Sequence, residues 1–239
     1  MTVVAAPSGL AVPSLFELVR RVRREVTKET LSTLNDDVIN NVVVDAINDA
    51  TADIYNRARW NWAKTQAGIV WISGQSEYPL PPDFRQMATE LNINNICLKE
   101  TSIEEWWRNT YTPSWNANTS VSGQPMMYMV DMQKIKVWPT PSDSFIALIP
   151  STPMIYYRYP SRRLVLTTDS ANSPDVPFQF IEALHRYAVG MLKMHLEFTD
   201  FQKEIDRYEA IILNRIQTEI IQVHGTRVRP RDWRTTNYG

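Results

Sequence analysis

Residues 78–85 read Tyr-Pro-Leu-Pro-Pro-Asp-Phe-Arg, a stretch that cannot continue a helix. Proline lacks the backbone N–H that an inner helical turn requires, and three of these eight residues are prolines. Around this stretch, residues 68–72 predict a strand, Ser73-Gly74 a tight turn, and residues 77–80 a returning strand. The middle of the chain is therefore predicted to be β-rich.

More short strands and one helix are predicted on the C-terminal side of this hairpin. The strand candidates are Asn92–Leu98, Met126–Val130, Ile135–Val137 and Met154–Tyr159. Ser102 and Glu105 have the spacing of a capping box, which predicts a short helix through Arg108. Residues 110–122 form a polar loop rich in Asn, Ser and Thr.

The chain before the hairpin has helical periodicity. Ser14 can cap a first helix with apolar side chains on one side and arginines on the other. A second helix opens at Asn35 or Asp36 and carries apolar residues every four positions, which predicts one long buried stripe. The expected buried positions are Phe16, Val19, Val22 and Val26, then Val38, Val42, Ala46, Ala50 and Ile54.

The last third of the chain is predicted to be helical again. Asp175-Val176-Pro177 is typical of a helix start, since proline is tolerated in a first turn. Another helix begins near Thr199 and runs to about Val223, and Gly225 ends it. The expected apolar faces are Ile181, Leu184, Tyr187, Ala188, Met191 and Leu192, then Ile205, Tyr208, Ile212, Ile216 and Ile220.

These patterns predict an α+β protein. Helices from residues 1–62 and 175–225 form one bundle, because each carries an apolar stripe that needs a partner. A β-rich segment, residues 63–174, is inserted between them. Residues 226–239 follow as an extended basic arm with four arginines and one aspartate.

Composition excludes several classes of protein. The 239 residues carry 25 basic and 26 acidic side chains, so no overall charge favours nucleic acid or a membrane surface. A single cysteine, Cys97, rules out an intrachain disulfide and fits a reducing compartment. Neither a signal peptide nor a membrane span is indicated, so we expect synthesis in the cytoplasm and no membrane partner.

No residue pattern indicates a metal site, a cofactor or catalysis. His185 and His195 lie about 80° apart around a helix, too far to share an ion. Glu182 and His185 match half of a di-iron helix motif whose second half is missing. Cys97 lies in an apolar run that predicts a buried, inert thiol. We therefore expect a protein that binds no cofactor and is not an enzyme.

Tryptophan and arginine are abundant enough to suggest binding. Trp106, Trp107 and Trp115 flank the polar loop, where they could stack on a sugar or a base. The positions of Trp60, Trp62, Trp71 and Trp138 at element boundaries favour a core or an interface instead. The arginines of residues 20–24 are interleaved with glutamates, which is typical of a solvated face.

Several short motifs follow one another in a recognisable order. They include Tyr78, Leu80, Pro81, Asp83 and Phe84, then Gly123, Pro125 and Tyr128, then Trp138 and Pro139, then residues 157–160 and 176–188. Across about residues 35–190, this succession resembles the head-to-tail adaptor (connector or neck) proteins of tailed bacteriophages, including tail tubular protein A of short-tailed phages. Its prolines and aromatic rings end strands and lock turns onto a core, so we expect a structural role for them.

The resemblance implies a structural protein of the virion neck, between capsid and tail. Such adaptors have a helical bundle with a β-rich insertion and form a ring, typically of twelve copies, below the portal protein. The ring extends the channel through which double-stranded DNA passes without sequence-specific binding. It also docks the next tail component, which is a nozzle, a tube or a stopper.

In related adaptors a C-terminal extension reaches into the portal, and residues 226–239 are the candidate here. Arginine and aromatic side chains are enriched where one protein grips another. The expected contacts are Arg227, Arg229, Arg231, Trp233, Arg234 and Tyr238. A phosphate-binding tail and a disordered tail are the alternatives for this segment.

Two other functions stay open for the whole chain. One is a nucleic-acid-binding protein that uses the arm together with Arg20, Arg21, Arg23 and Arg24. The other is an enzyme with an unrecognised site, acting on cell-wall sugar near Trp106, Trp107 and Trp115. Nothing in the composition supports either.

Overall fold

The computed structural model describes residues 12–26, 36–93, 96–110, 121–166 and 172–224. They form two compact units. The helical unit combines the described parts of Met1–Trp62 and Pro160–Gly239, and the β-rich unit is the segment Ala63–Tyr159. Helices lie at both ends of the chain and sheets in its centre, which confirms the predicted α+β class.

The helices, in chain order, are α1 (Leu15–Val26), α2 (Asp36–Arg57), α3 (Ile103–Thr110), α4 (Asp143–Leu148), α5 (Ile181–His195) and α6 (Phe201–His224). Short 3-10 helices occupy Asn61–Ala63 and Phe178–Phe180. The strands are β1 (Lys64–Val70), β2 (Glu77–Pro79), β3 (Phe84–Met87), β4 (Asn92–Ile93), β5 (Ile96–Cys97), β6 (Lys99–Glu100), β7 (Ser122–Gly123), β8 (Met127–Asp131), β9 (Lys134–Trp138), β10 (Thr140–Pro141) and β11 (Ser151–Arg158).

Helix α5 is the centre of the helical unit, because it contacts α1, α2 and α6. Its buried face consists of Ile181, Ala183, Leu184, Ala188, Val189, Gly190 and Leu192. Gly190 permits a close approach to α6, since a Cβ added there would lie 2.7 Å from Cδ1 of Ile205. Any larger residue at position 190 would therefore force the Ile205 side chain to move.

Helix α1 turns a different face to the core from the predicted one. Ser14 caps it as expected, because its Oγ accepts a hydrogen bond from Glu17 N at 3.2 Å. Its buried side chains are Leu15, Leu18, Val19 and Val22. Phe16 is 48% exposed, so the prediction that it is buried is wrong. Leu15 and Leu18 define the buried face of α1, and Phe16 lies outside it because it is about 100° around the helix from Leu15.

The buried stripe of α2 is wider than predicted. Ala46, Ala50 and Ile54 are buried as expected, but Val38 is 47% exposed. A repeat of four drifts by about 40° per step around a helix of 3.6 residues per turn, so one stripe cannot stay in the core. The core also takes Ile39, Val43, Val44, Ile47 and Tyr55.

The segment after Tyr159 belongs to the helical unit, so the division lies there and not at the expected residue 174. The amide of Asn48 explains this placement. Its Nδ2 donates to Leu164 O at 3.0 Å and its Oδ1 accepts from Leu164 N at 2.8 Å. Arg163 forms an ion pair with Asp45 at 2.8 Å. An extended segment is therefore bonded along α2 before α5 begins.

Two main sheets make up the β-rich unit. One has the strand order β1-β11-β3 with antiparallel pairing, and the other has the order β2-β9-β8-β6. Two-stranded pairs join β7 to β10 and β4 to β5. The largest side chains of the core are Trp71, Tyr78, Tyr128, Tyr156 and Phe145.

The predicted hairpin of residues 68–80 is wrong. Strand β1 pairs with β11 along its whole length, from Lys64 opposite Tyr157 to Val70 opposite Ser151. Strand β2 pairs with β9 instead. The turn between them is tight, with Gly74 at a φ of 72°. Seven paired positions with β11 offer β1 more backbone hydrogen bonds than the three-residue β2 could.

The two short helices of the β-rich unit are both capped by serine. The capping predicted for α3 is confirmed, because Ser102 Oγ accepts from Glu105 N at 3.2 Å. Ser142 caps α4 in the same way, accepting from Phe145 N at 3.3 Å. Helix α4 is not predicted from the sequence patterns. Among the described residues, no helix combines the length and the apolar character needed to cross a bilayer.

Candidate functional site

The motif residue Tyr78 closes the turn that precedes it. Its hydroxyl donates to Gln75 O at 3.0 Å and lies 3.2 Å from both Ile72 N and Ile72 O. Its ring packs edge-on against Trp71 with centroids 5.2 Å apart. Burial raises the pKa of Tyr78, so the hydroxyl stays protonated and available as a donor. Its contacts are those of a structural residue.

Asp83 and Phe84, the end of the same motif, pack against strand β11. Asp83 Oδ1 accepts from the Tyr156 hydroxyl at 2.9 Å, and Asp83 O accepts from Tyr159 N at 2.7 Å. The rings of Phe84 and Tyr156 lie 5.5 Å apart. Burial, with the Asp83 hydrogen bond, raises the pKa of Tyr156 to about 12. Leu80 is buried, and Pro81 O accepts from Phe84 N at 2.9 Å.

The later motif residues hold the β7–β10 region together. Gly123 O accepts from Ser142 N at 3.1 Å, and Trp138 O accepts from Met126 N at 3.0 Å. Pro125, Tyr128 and Pro139 are buried, and Trp138 is half-buried. Tyr128 lies opposite Val137 in the sheet, and its hydroxyl approaches Glu100 at 3.4 Å.

The helical unit contains a buried carboxylate surrounded by cations. The Glu204 side chain is 5% exposed and lies 3.0 Å from Arg207, 3.2 Å from Arg186 and 3.6 Å from Lys193. Burial alone would raise the pKa of Glu204, but the Arg207 hydrogen bond and the three positive charges together hold it below its ordinary value. The carboxylate is therefore ionised at neutral pH and ties α5 to α6.

A second polar cluster ties α2 to α6. Arg57 makes a bidentate pair with Glu209, at 2.5 and 2.6 Å, and a 2.8 Å bond to Asp53. The Tyr208 hydroxyl also donates to Asp53. Burial, followed by the Asp53 hydrogen bond, raises the pKa of Tyr208. Neither cluster was predicted from the sequence, because the pairs Arg57–Glu209 and Arg186–Glu204 join different helices.

The histidine and cysteine environments do not assemble a reactive group. Among the described residues, no group of three His, Cys, Asp or Glu side chains could hold a metal ion. His185 Nε2 lies 3.4 Å from Glu25, and burial lowers the pKa of His185. Cys97 is exposed, so the prediction of a buried thiol is wrong. Its strand β5 has only two residues, both of them exposed.

The tryptophans divide as their positions suggest. Trp60 is buried and stacks near Trp62 and Phe180, with ring centroids 6.2 and 5.0 Å away. Trp106 is buried, whereas Trp107 is 51% exposed. Trp115 lies outside the described residues. In the described part of the chain, the alternative of a stacking platform is thus left with one exposed ring, that of Trp107.

A comparison with models of protein families identifies the family of this chain. The model of the SU10 adaptor protein family matches residues 13–237. The chain belongs to the SU10 adaptor protein family. This is a family of phage head-to-tail adaptors, so the resemblance drawn from the motifs is confirmed. A comparison with curated proteins finds no match.

Membership in the SU10 adaptor protein family gives the function in outline. The chain is a bacteriophage adaptor, and the family is one of structural proteins. The family implies a place in the virion neck and interaction with portal and tail components. The predicted arm residues lie outside the described residues, but the family match reaches residue 237 and includes most of the arm.

Proposed function

We propose that the chain forms a ring of twelve copies below the portal protein, extends the DNA channel and docks the next tail component. The observation that carries this proposal is the family match over residues 13–237, which spans both units and most of the arm. The architecture agrees with it, since a helical unit interrupted by a β-rich unit is what the adaptor resemblance implies. Synthesis in the host cytoplasm before assembly completes the proposal.

Ring formation follows from simple assembly physics. Cyclic assemblies use contacts between two different surfaces of neighbouring copies, repeated until the ring closes. Each contact can be weak, because a template that presents all the sites at once makes the second and later binding events effectively intramolecular. The portal protein would be that template. A near-neutral net charge of −1 suits a conduit, since a strongly basic channel would retain DNA.

We assign the portal contact to the arm, residues 226–239. Its four arginines and its aromatic residues Trp233 and Tyr238 are the types that dominate protein interfaces. The arm directly follows α6, a helix fixed to α2 and α5 by the ion pairs of Arg57 and Glu204. The helical unit therefore offers the arm a rigid base.

The test is recovery of portal protein by the tagged full-length chain and by a variant that ends at Gly225. The full-length chain should recover portal in a complex whose native mass corresponds to about twelve copies. The truncated chain should keep its helical circular dichroism and lose portal. The matched control deletes residues 1–11, a segment of similar length without charged side chains, and should retain portal.

Two results would count against these assignments, and they differ. Portal recovery unchanged by the truncation would refute the arm but leave the ring intact. A full-length chain that forms no ring-scale complex with portal would refute the proposed ring itself.

A further inference from the structure

Helix α1 carries three arginines and one phenylalanine on one side. With about 100° per residue, Arg23, Phe16, Arg20 and Arg24 fall in that order within an arc of about 100°. Phe16, Arg20 and Arg24 are exposed, and Arg23 is half-buried. The two glutamates of α1 lie outside this arc, Glu17 about 20° beyond Arg24 in projection and Glu25 about 180° from Phe16. Arginines therefore dominate the arc, with Glu17 at its edge.

The acidic side chains of α1 are neutralised elsewhere. Glu17 pairs with Arg21 at 2.6 Å, and Glu25 pairs with Arg186 at 2.9 Å. Arg20 and Arg24 have no hydrogen bond or ion pair with any described residue, and both are exposed. No described side chain therefore neutralises these two guanidinium groups, which lie one helical turn apart and can bind an anionic partner.

A groove lies along this arc. It has a volume of about 360 Å³ and is lined by Phe16, Val19, Arg20, Arg23, Arg24, Asn40 and Leu166. Arg23 Nη1 donates to Asn40 Oδ1 at 3.2 Å, which fixes one guanidinium in the groove wall. These described lining residues include three arginines and no carboxylate. The groove fits an anionic partner.

We propose that Arg20 and Arg24, with the groove beside them, contact phosphates of the double-stranded DNA that passes through the assembled adaptor. This inference rests on the proposed DNA channel and names its DNA-facing surface. The two side chains lie one turn apart on the same side of α1, separated by about 6 Å of helix rise. Contacts of this kind carry no sequence information, so DNA can move past them.

DNA suits this surface better than the chain's own arm does. The arm carries four arginines and one aspartate, so it would be repelled from the arc. Two phosphate contacts per copy bind weakly alone and add up around a ring. Such a surface can guide DNA without holding it, which agrees with the neutral net charge.

The test measures binding of the full-length protein, assembled on portal protein, to a short fluorescent duplex of random sequence at two salt concentrations. The variant is Arg20→Gln/Arg24→Gln, and the charge-matched control is Arg59→Gln/Arg162→Gln, two exposed arginines of the same unit. Each lost phosphate contact lowers the salt slope by about 0.9. From about 50 to about 200 mM salt, wild-type affinity should therefore fall by at least about tenfold more than that of the variant, because every copy of the variant that touches the duplex loses two contacts. The control should keep the wild-type slope.

A second measurement locates the contact directly. The photocrosslinker p-benzoylphenylalanine in place of Phe16 should label the duplex, whereas the same group in place of Phe178, an exposed ring elsewhere in the helical unit, should not. Equal salt slopes in variant and control, or no DNA binding by the wild type, would overturn the proposal. So would loss of portal recovery by Arg20→Gln/Arg24→Gln with DNA binding unchanged, because the arc would then dock a protein. A wild type that fails to recover portal would instead count against the ring.

Discussion

The two units of this adaptor are assembled from the chain in opposite ways. The β-rich unit is one continuous segment whose first and last strands pair, with Lys64 opposite Tyr157. The helical unit joins the two ends of the chain, and its bonds cross long stretches of sequence, as between Arg57 and Glu209 or Tyr55 and Asp175. The β-rich unit can therefore complete its core from one continuous segment, whereas the helical unit needs both chain ends.

The largest effect of this difference is expected when each part of the chain is produced as a separate fragment. A fragment of residues 63–159 should fold alone, because its two ends meet in the β1–β11 pair and its core is internal. A fragment of residues 1–62 should remain unfolded, since α1 and α2 lack α5 and α6. Circular dichroism and the dispersion of amide resonances measure both. An unfolded 63–159 fragment, or cooperative melting of 1–62, would break the comparison.

A smaller effect is expected from single mutations, each of which should destabilise only the unit whose core it changes. Trp60→Ala removes a ring that is 1% exposed and packs 5.0 Å from Phe180, so it should cost about 3–5 kcal/mol in the helical unit. The matched variant Trp71→Ala removes a ring that is 3% exposed in the β-rich unit. Hydrogen exchange followed peptide by peptide should accelerate in the helical unit for Trp60→Ala and in the β-rich unit for Trp71→Ala. The same exchange pattern in both variants would show one cooperative core.

The smallest of the three effects concerns pH. The folded pKa of Glu204 lies below its ordinary value of 4.5, so its ion pairs stabilise the helical unit above that pH and are lost as pH falls through the depressed pKa. Glu204→Gln should lower the free energy of unfolding by about 1–3 kcal/mol at neutral pH. The difference from wild type should shrink under acid conditions. Urea midpoints across the acid range measure this, and a difference that is constant with pH would contradict it.

Local patterns predict the longer helices and two of the serine caps, but not the short helix α4. Ser14 and Ser102 were assignable because capping depends on residues three apart, and both bonds are present. The partner of strand β1 could not be predicted. Strand β11 lies more than eighty residues away, and a seven-residue strand carries no pattern that identifies its partner. Predictions of which side chains are buried failed where neighbouring apolar residues compete for one face of a helix, as with Phe16 beside Leu15.

The candidate functional surfaces also divide into those that local sequence predicts and those that depend on distant contacts. The motif residues and the adaptor resemblance could be read from short, ordered signals such as residues 78–85. The groove on α1 could not, because the glutamates that appear to cancel its arginines are bonded to Arg21 and Arg186 in the fold. Whether a charge is free depends on distant partners, and one sequence does not reveal them.

The end of α6 sets a limit on reach. The helix is roughly 36 Å long and ends at His224, so the last fifteen residues of the chain start from a fixed point on the helical unit. Fully extended, fifteen residues span at most about 50 Å. If residues 225–239 bind the portal protein as we propose, the surface they bind must lie inside a sphere of that radius around His224, a length that an image of the assembled neck can check.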